Sequence, residues 1–460
     1  RRRREMTTFE DKVAEDARRD PASFRSMEVD ALVHRAVFEA DTKRRDEARR
    51  ALRKAAAALG VVPSSIHDLY MAIGRGESGG FTVPAINVRM LAYDTARAIF
   101  RAAKRHEVGA LILEIARSEM GYTDQRPAEY AAVILGAAIR EGYEGPLFLQ
   151  GDHFQVNAKK FAADPKPEIR AIEMLIEESV DAGFFNIDID TSTLVDLSQP
   201  NVVEEQRKNF ENAAHFTTVV RAREPKGVTI SVGGEIGEVG KDVSTPEEFR
   251  AYMNGYRATL PPGMTGVSKI SINTGTSHGG VVLPDGTVAK VSIDFDAMKA
   301  ISKIARAEYG LAGAVQHGAS TLPAEMFHEF PNHGACEVHL ATEFQNMVYE
   351  HPAFPKALKD DMYAWIREKA AEERKSKDTE EQFFYKTRKK AIGPFKKAVW
   401  DLPESVRSEI GAALEKKFEY LFGKLRVQGT RNAVGRFVKP VEAAAETAAH
   451  GFVRDDSAGD

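Results

Sequence analysis

Apolar positions recur along this chain with two different periods. Short apolar runs stand at Phe81–Val88, Gly109–Ala116, Pro146–Gly151, Phe184–Asp190, Val228–Val232, Ser268–Thr274, Leu311–Gln316 and Ala335–Ala341. Most segments between them follow a helical period. Ile169, Ile172, Ile176 and Val180 share one face, and Gly183 stands where a C-terminal cap belongs. Leu91, Thr95, Ala98 and Ala102 repeat the pattern earlier. Strands alternating with helices imply a parallel sheet, and eight such units imply closure into an α/β fold of the (β/α)8 TIM-barrel type. Pro261–Pro262–Gly263 falls between elements, as a loop should.

The flanks have a different texture. Residues 1–75 are charged and Ala-rich, with strong helix formers from Arg44 to Leu59, and read as an N-terminal helical extension closed by the glycines of Gly74 to Gly80. The barrel is expected over 76–350. Beyond it, residues 351–460 lose the strand pattern and read as a C-terminal helical subdomain, carrying aromatics such as Phe383, Phe384, Trp400 and Phe418. Its packing partner is expected to be the barrel or a neighbouring subunit. The basic stretch Lys386 to Lys390 is read as a solvated helix face rather than a phosphate site.

Of the 460 residues, 43% are hydrophobic and 29% charged, with a formal net charge of −4, which argues against a general nucleic-acid binder but leaves small anionic substrates open. The single cysteine, Cys336, cannot form an intramolecular disulfide and fits a reducing cytoplasm. No uninterrupted apolar run approaches the ~20 residues of a membrane helix. Arg1–Arg4 are followed by no apolar stretch, so they read as a solvated tail rather than the start of a signal peptide, and Met6 as the natural start.

Barrel enzymes carry their chemistry at the C-terminal ends of the strands. Polar residues gather there: Gln150–Gly151–Asp152–His153, Asp188–Ile189–Asp190, Gly233–Gly234–Glu235–Ile236–Gly237, Gly275–Thr276–Ser277–His278–Gly279–Gly280, Gln316–His317–Gly318–Ala319–Ser320 and Val338–His339–Leu340–Ala341–Thr342. Four of the 12 histidines are among them, far more than scatter would place. Imidazoles and a carboxylate converging from separate strands suit a zinc site, and a catalytic zinc keeps one coordination position open. His153, His278 and His317 are the expected protein ligands. A hydrogen-bonded structural histidine is the plainer reading of any one alone; their joint placement beside glycines favours the metal. Glycines next to His278 and His317 let backbone N–H groups approach an anion, and phosphate is the natural guess.

These motifs resemble, in order over about residues 80 to 350, those of the class II fructose-bisphosphate and tagatose-bisphosphate aldolases. Pro84–Ala85–Ile86–Asn87–Val88 resembles P-A-F-N-V, Asp152–His153 the D-H after the third strand, Gly233 to Gly237 E-A-E-L-G, Gly275 to Gly279 G-T-S-H-G, His317 to Ser320 H-G-G-S, and Ala341–Thr342–Glu343 the A-T-E of the tagatose branch. The resemblance implies aldol cleavage of a phosphorylated ketose, such as fructose 1,6-bisphosphate, to dihydroxyacetone phosphate and an aldehyde. It implies zinc or another divalent ion on His153, His278 and His317, with Glu235 as a further ligand; a monovalent cation is an additional expectation. Asp152 would handle the proton of the cleaved hydroxyl. Gly279, Gly280, Gly318 and Ser320 would hold phosphate. Asn87, Asp190 and Thr342 join the substrate-binding set, and a homo-oligomer, dimer or tetramer, is expected.

Departures from the family's pattern qualify the substrate. The loop after the fifth strand is shorter than the family's, leaving its acid open between Glu238 and Asp242. Ala116 replaces a serine that often contacts phosphate, with Ser118 nearby as a substitute. His339 stands where the family has Asn; a substrate contact, a metal-site neighbour and a packed residue are all open, and a neutral imidazole selecting among sugars is the expectation pursued. The alternatives are a non-catalytic supporting subunit of a tagatose-bisphosphate aldolase and another zinc-dependent barrel enzyme.

Overall fold

The computed structural model describes residues 8–443, apart from 238–241, 277–281, 286, 288, 290–291 and 320–321. Its strands are β1 (Val61–Pro63), β2 (Val83–Asn87), β3 (Ile112–Ala116), β4 (Gly145–Gln155), β5 (Asn186–Asp190), β6 (Ser231–Glu235), β7 (Lys269–Ile272), β8 (Ala314–Gln316) and β9 (Glu337–Leu340). Every pairing is parallel. Strands β2 to β9 pair in sequence, and β9 returns to β2 through Val83↔Glu337 and Ala85↔His339, so the sheet closes into a (β/α)8 barrel. Helices such as Ala92–Arg105, Pro127–Glu141, Pro165–Ala182 and Val202–Arg223 lie in the connections and form the outer layer. Gly183 ends the third of these with φ +99, the left-handed cap the sequence predicts.

Strand β1 lies outside this ring. Three residues, too few for a periodic signal, pair with Gly145–Leu147 at the start of β4. They follow the helix Thr42–Ala58, whose buried Ala48, Ala51, Leu52, Ala55 and Ala56 form its apolar face. Together with Val29–Phe38 this helix covers Pro127–Glu141, which is buried almost all round. Gly136 permits the approach: a Cβ there would lie 2.2 Å from Val33 Cγ2.

The C-terminal helices share the barrel's apolar core. Helix Glu404–Lys424 lies against Ala92–Arg105, with Arg101 and Arg105 paired to Glu415 and Glu419 and with Phe418 4.7 Å from Phe344 between ring centroids. Arg388, in the stretch read as a solvated face, is instead buried over the Tyr349 ring and bonded to Asn346 and Glu350. No helix among the described residues is long and apolar enough to cross a membrane.

The barrel interior is polar. Lys269 donates to Gln150 Oε1 (2.8 Å) and Asp188 Oδ2 (3.0 Å) and pairs with Glu337. Gln150 Nε2 donates to Glu114 (2.8 Å) and Glu337 (2.9 Å), and Tyr70 closes on the other Glu337 oxygen. Side chains from β3, β4, β5, β7 and β9 can meet in this way only inside the closed sheet. Branched aliphatic layers are the usual filling of such barrels. Here Gly233 on β6 makes room, since a Cβ on it would sit 2.3 Å from Asp188 Oδ1.

Candidate metal centre and active site

The site begins with an irregularity in β4. Its pairing with β5 shifts register between Gly151 and Phe154, a bulge that lets Asp152 and His153 both serve the C-terminal end of the barrel. His153 takes φ +40, a conformation rare for a residue with a Cβ and held only where surroundings enforce it. Gly151 makes the fold-back possible: a Cβ there would lie 2.3 Å from Cζ of the Phe154 ring.

Around His153 the neighbouring strands supply carboxylates. Its Nδ1 lies 3.2 Å from Asp190 Oδ2 at the end of β5 and 3.3 Å from Glu235 Oε2 at the end of β6. Its ring centroid is 4.0 Å from that of His317, just beyond β8, whose Nε2 is 2.9 Å from Ser271 Oγ. Asp190 is held in turn by Gln155 Nε2 (2.6 Å) and by the Ser192 hydroxyl (2.7 Å) and amide (3.0 Å). Ligand atoms of Asp152, His153 and His317 lie within 4.8 Å of one another, and so do those of His153, Asp190 and Glu235. Two imidazoles among carboxylates at this spacing are a donor set for a borderline divalent ion. His278 lies outside the described residues, as do Glu238, Gly279, Gly280 and Ser320.

Electrostatics follow from burial. Desolvation and the charge of Asp190 push the Glu235 carboxyl up to about 7. Burial opposes a charge on His153, yet Asp152 and Glu235 beside it raise its imidazole well above the ordinary value. Burial would likewise raise Asp152, but His153, His339 and an Asn87 hydrogen bond hold it below the usual carboxylate range. A divalent ion bound here would take the place of the proton on the imidazole.

The structure brings several other expected residues to this end. Asn87, at the end of β2, donates one amide hydrogen to Asp152 Oδ2 (2.8 Å) and the other to Glu119 Oε2 (2.9 Å). Thr342 accepts from Arg89 Nη1 (3.2 Å), and Gly318 follows His317 with φ +70. Ser118 is half-buried on the first turn of helix Arg117–Tyr122. Asp242 is exposed, tied through its backbone carbonyl to Asn273, and is not part of the described carboxylate clusters.

His339, expected as a neutral imidazole that selects among sugars, lies among buried carboxylates. It is buried, with Nδ1 2.9 Å from Glu114 Oε1 and 3.1 Å from Asp152 Oδ1, and Nε2 2.7 Å from Glu337 Oε1 and 3.5 Å from Asp188 Oδ2. Burial disfavours its cation, but Glu114 and Asp152 outweigh that and raise it well above the ordinary value. The residues not foreseen, Glu114, Lys269 and Glu337, sit within predicted strands. Their signal was the presence of charge at alternate positions in runs otherwise apolar, as in Glu337 and His339.

Fold and site define a (β/α)8 barrel with a histidine–carboxylate centre at its catalytic end. The chain belongs to the class-II fructose-bisphosphate aldolase family: the family model, Fructose-bisphosphate aldolase class-II, matches residues 69–398. No curated protein sequence matches it. Among solved structures it is similar to a probable tagatose 6 phosphate kinase from Sinorhizobium meliloti (17% identity, 76% of this chain and 100% of that one, TM-score 0.54). It is also similar to the fructuronate-tagaturonate epimerase UxaE from Cohnella laeviribosi (13% identity, 83% and 86%, TM-score 0.51). A fructose-bisphosphate aldolase from Campylobacter jejuni matches at 18% identity over 80% and 96% of the two chains, with a TM-score of 0.45. At these identities the likeness is one of fold.

Proposed function

We propose that this protein is a divalent-metal-dependent aldolase that reversibly cleaves a phosphorylated ketose, fructose 1,6-bisphosphate or a related ketose bisphosphate, to dihydroxyacetone phosphate and an aldehyde. The observation that carries this reading is the convergence of Asp152, His153, Asp190, Glu235 and His317 at one end of the barrel. His153 and His317, with His278 and Glu235, would hold the ion, zinc being the expected one. When bound, it supplies Lewis-acid stabilisation of negative charge on the ketone-derived fragment. Asp152 takes the proton of the hydroxyl on the carbon that becomes the aldehyde, while the electron pair of the breaking C–C bond stays with the ketone-derived fragment. Condensation returns that proton from Asp152. The buried walls around Asp152 exclude water from the exchange. Gly279, Gly280, Gly318 and Ser320 form the phosphate cradle of this reading, and assembly as a dimer or tetramer belongs to it.

The test is metal analysis of the purified chain together with product identification from a panel of ketose bisphosphates. Aldol cleavage abolished by chelation and restored by zinc supports the reading. Asp152→Asn should retain metal while kcat falls roughly 10²–10⁴-fold, the usual worth of a general acid–base group. Metal without cleavage activity, or cleavage unaffected by chelation, would remove it.

A second reading, epimerisation of a keto-sugar acid, draws on the similarity to UxaE, which extends over 83% of this chain and so beyond a bare barrel. Incubation with fructuronate separates the two: inversion without carbon–carbon cleavage products favours the epimerase.

A further inference from the structure

We infer that Glu119 and Arg89 are positioning residues that act through Asn87 on the Asp152 carboxylate; this rests on the reading of Asp152 as the proton-handling group. Four residues form one chain of contacts at the top of β2, β3 and β4. Arg89 Nε donates to Glu119 Oε1. Glu119 Oε2 accepts from the Ala116 backbone N–H (2.8 Å) and from Asn87 Nδ2 (2.9 Å). Asn87 Nδ2 donates its second hydrogen to Asp152 Oδ2 at 2.8 Å. Glu119 is 1% exposed and Asn87 3%, so water does not substitute for these contacts.

The order of the chain decides what each member does. A carboxamide presents a donor end and an acceptor end of nearly equal size, and only its partners determine which way it faces. Asn87 lies between two carboxylates, which are acceptors when ionised. Its NH2 must therefore point at both, since the flipped amide would set its oxygen against them. Glu119 is the member that fixes this orientation, because Asp152 alone would leave the second amide hydrogen unmatched in a buried place. Arg89 reaches Glu119 Oε1 through Nε and Thr342 Oγ1 through Nη1, a planar two-point contact that lysine cannot reproduce. The consequence appears at Asp152. Its Oδ2 is committed to Asn87, whereas its Oδ1 lies 3.1 Å from His339 Nδ1 and 3.7 Å from His153 Nε2. The relay from Arg89 thus holds Oδ2 and with it the plane of the carboxylate, whose Oδ1 is turned toward the histidines.

The experiment is a double-mutant cycle on the metal-loaded enzyme, read with the ketose bisphosphate it cleaves fastest. Glu119→Gln and Arg89→Lys should each lower kcat about 10-fold, an effect of orientation rather than of chemistry, with KM and metal content unchanged. In an Asn87→Ala background neither should lower kcat further, since both act through Asn87. Additive losses in that background, or a rise in KM with kcat unchanged, would overturn the inference. Glu119 also receives the Ala116 amide at the start of a helix; if Glu119→Gln fails to fold, the Arg89→Lys cycle decides alone. A slow Asp152→Asn beside normal Glu119→Gln and Arg89→Lys enzymes overturns this inference only. A normal Asp152→Asn overturns the reading of Asp152 and the inference with it.

Discussion

The imidazoles of His317 and His339 lie 3.9 Å apart between ring centroids, and they face different worlds. His317 turns its Nε2 to Ser271 beside the candidate metal ligands, whereas His339 turns both nitrogens to carboxylates inside the barrel. The carboxylates of Glu114 and Asp152 raise its imidazole well above the ordinary value. Replacing His339 by asparagine should leave Asp188 and Glu337 short of a partner. Removing one member of a buried charge group typically costs about 3–5 kcal/mol. Urea denaturation of His339→Asn should show a loss of that order. Unchanged stability with an altered preference among ketose phosphates would restore the selector role.

A metal held at His153 would link binding to folding, since Asp152 and Glu235 raise this imidazole after burial has opposed its charge. An ion that binds only the folded chain stabilises it by mass action. Chelation should lower Tm and abolish activity together, and His153→Ala, His278→Ala or His317→Ala should make both insensitive to added zinc. A chelated protein with full activity would end the metal reading.

Glu114 gives a pH dependence whose sign can be worked out. Burial and then the Asp152 charge raise its carboxyl to about 8, above the ordinary 4.5. The folded state therefore holds a proton that the unfolded chain releases. The stability this confers is complete below about pH 4.5 and is lost as the pH rises to about 8. Glu114→Gln carries no such dependence. Melting temperatures measured from pH 5 to 9 should show the variant gaining steadily on the parent protein. Parallel curves would mean that Glu114 stays ionised throughout.

The C-terminal helices are not an optional cover. Met362, Ile366, Phe383, Ile410, Leu414, Phe418, Leu421 and Leu425 all join the same buried cluster as the barrel strands and helices. The Thr82 amide donates to the Leu425 carbonyl just ahead of β2. A chain ending at Pro355 should expose this apolar surface and accumulate as insoluble protein. A soluble truncated chain with intact circular dichroism and bound metal would show that the barrel stands alone.

The barrel was legible because each of its eight strands overlaps an apolar run with the right spacing. Strand ends were less so. The sequence suggests that β4 stops at Gly151, where polar residues begin, yet it continues through the bulge to Gln155 because β5 pairs with it there. The run Val228–Val232 anticipates β6 too early: Ser231 is set against Asn186, so the strand begins there and extends through Gly233 and Gly234 to Glu235. In both cases polarity looked like an end, although inside this barrel polar side chains belong to the strands. Asp152 and His153 could be found from their motif. Glu119 could not, since its role depends on Asn87 turning toward it from another strand, a contact without local periodicity.

The packing of Phe154 against Gly151 limits the routes by which this protein could change. Any side chain at 151 collides with the Phe154 ring, and a smaller residue at 154 would open a void beside Gly151. The two positions are therefore coupled in mutational space, and single steps at either meet a barrier. Diversification of this barrel is expected to run through residues that do not carry the bulge, such as Ser118 and Thr342 at the strand mouths, while the Gly151–Phe154 pair persists as a fixed inheritance beneath them.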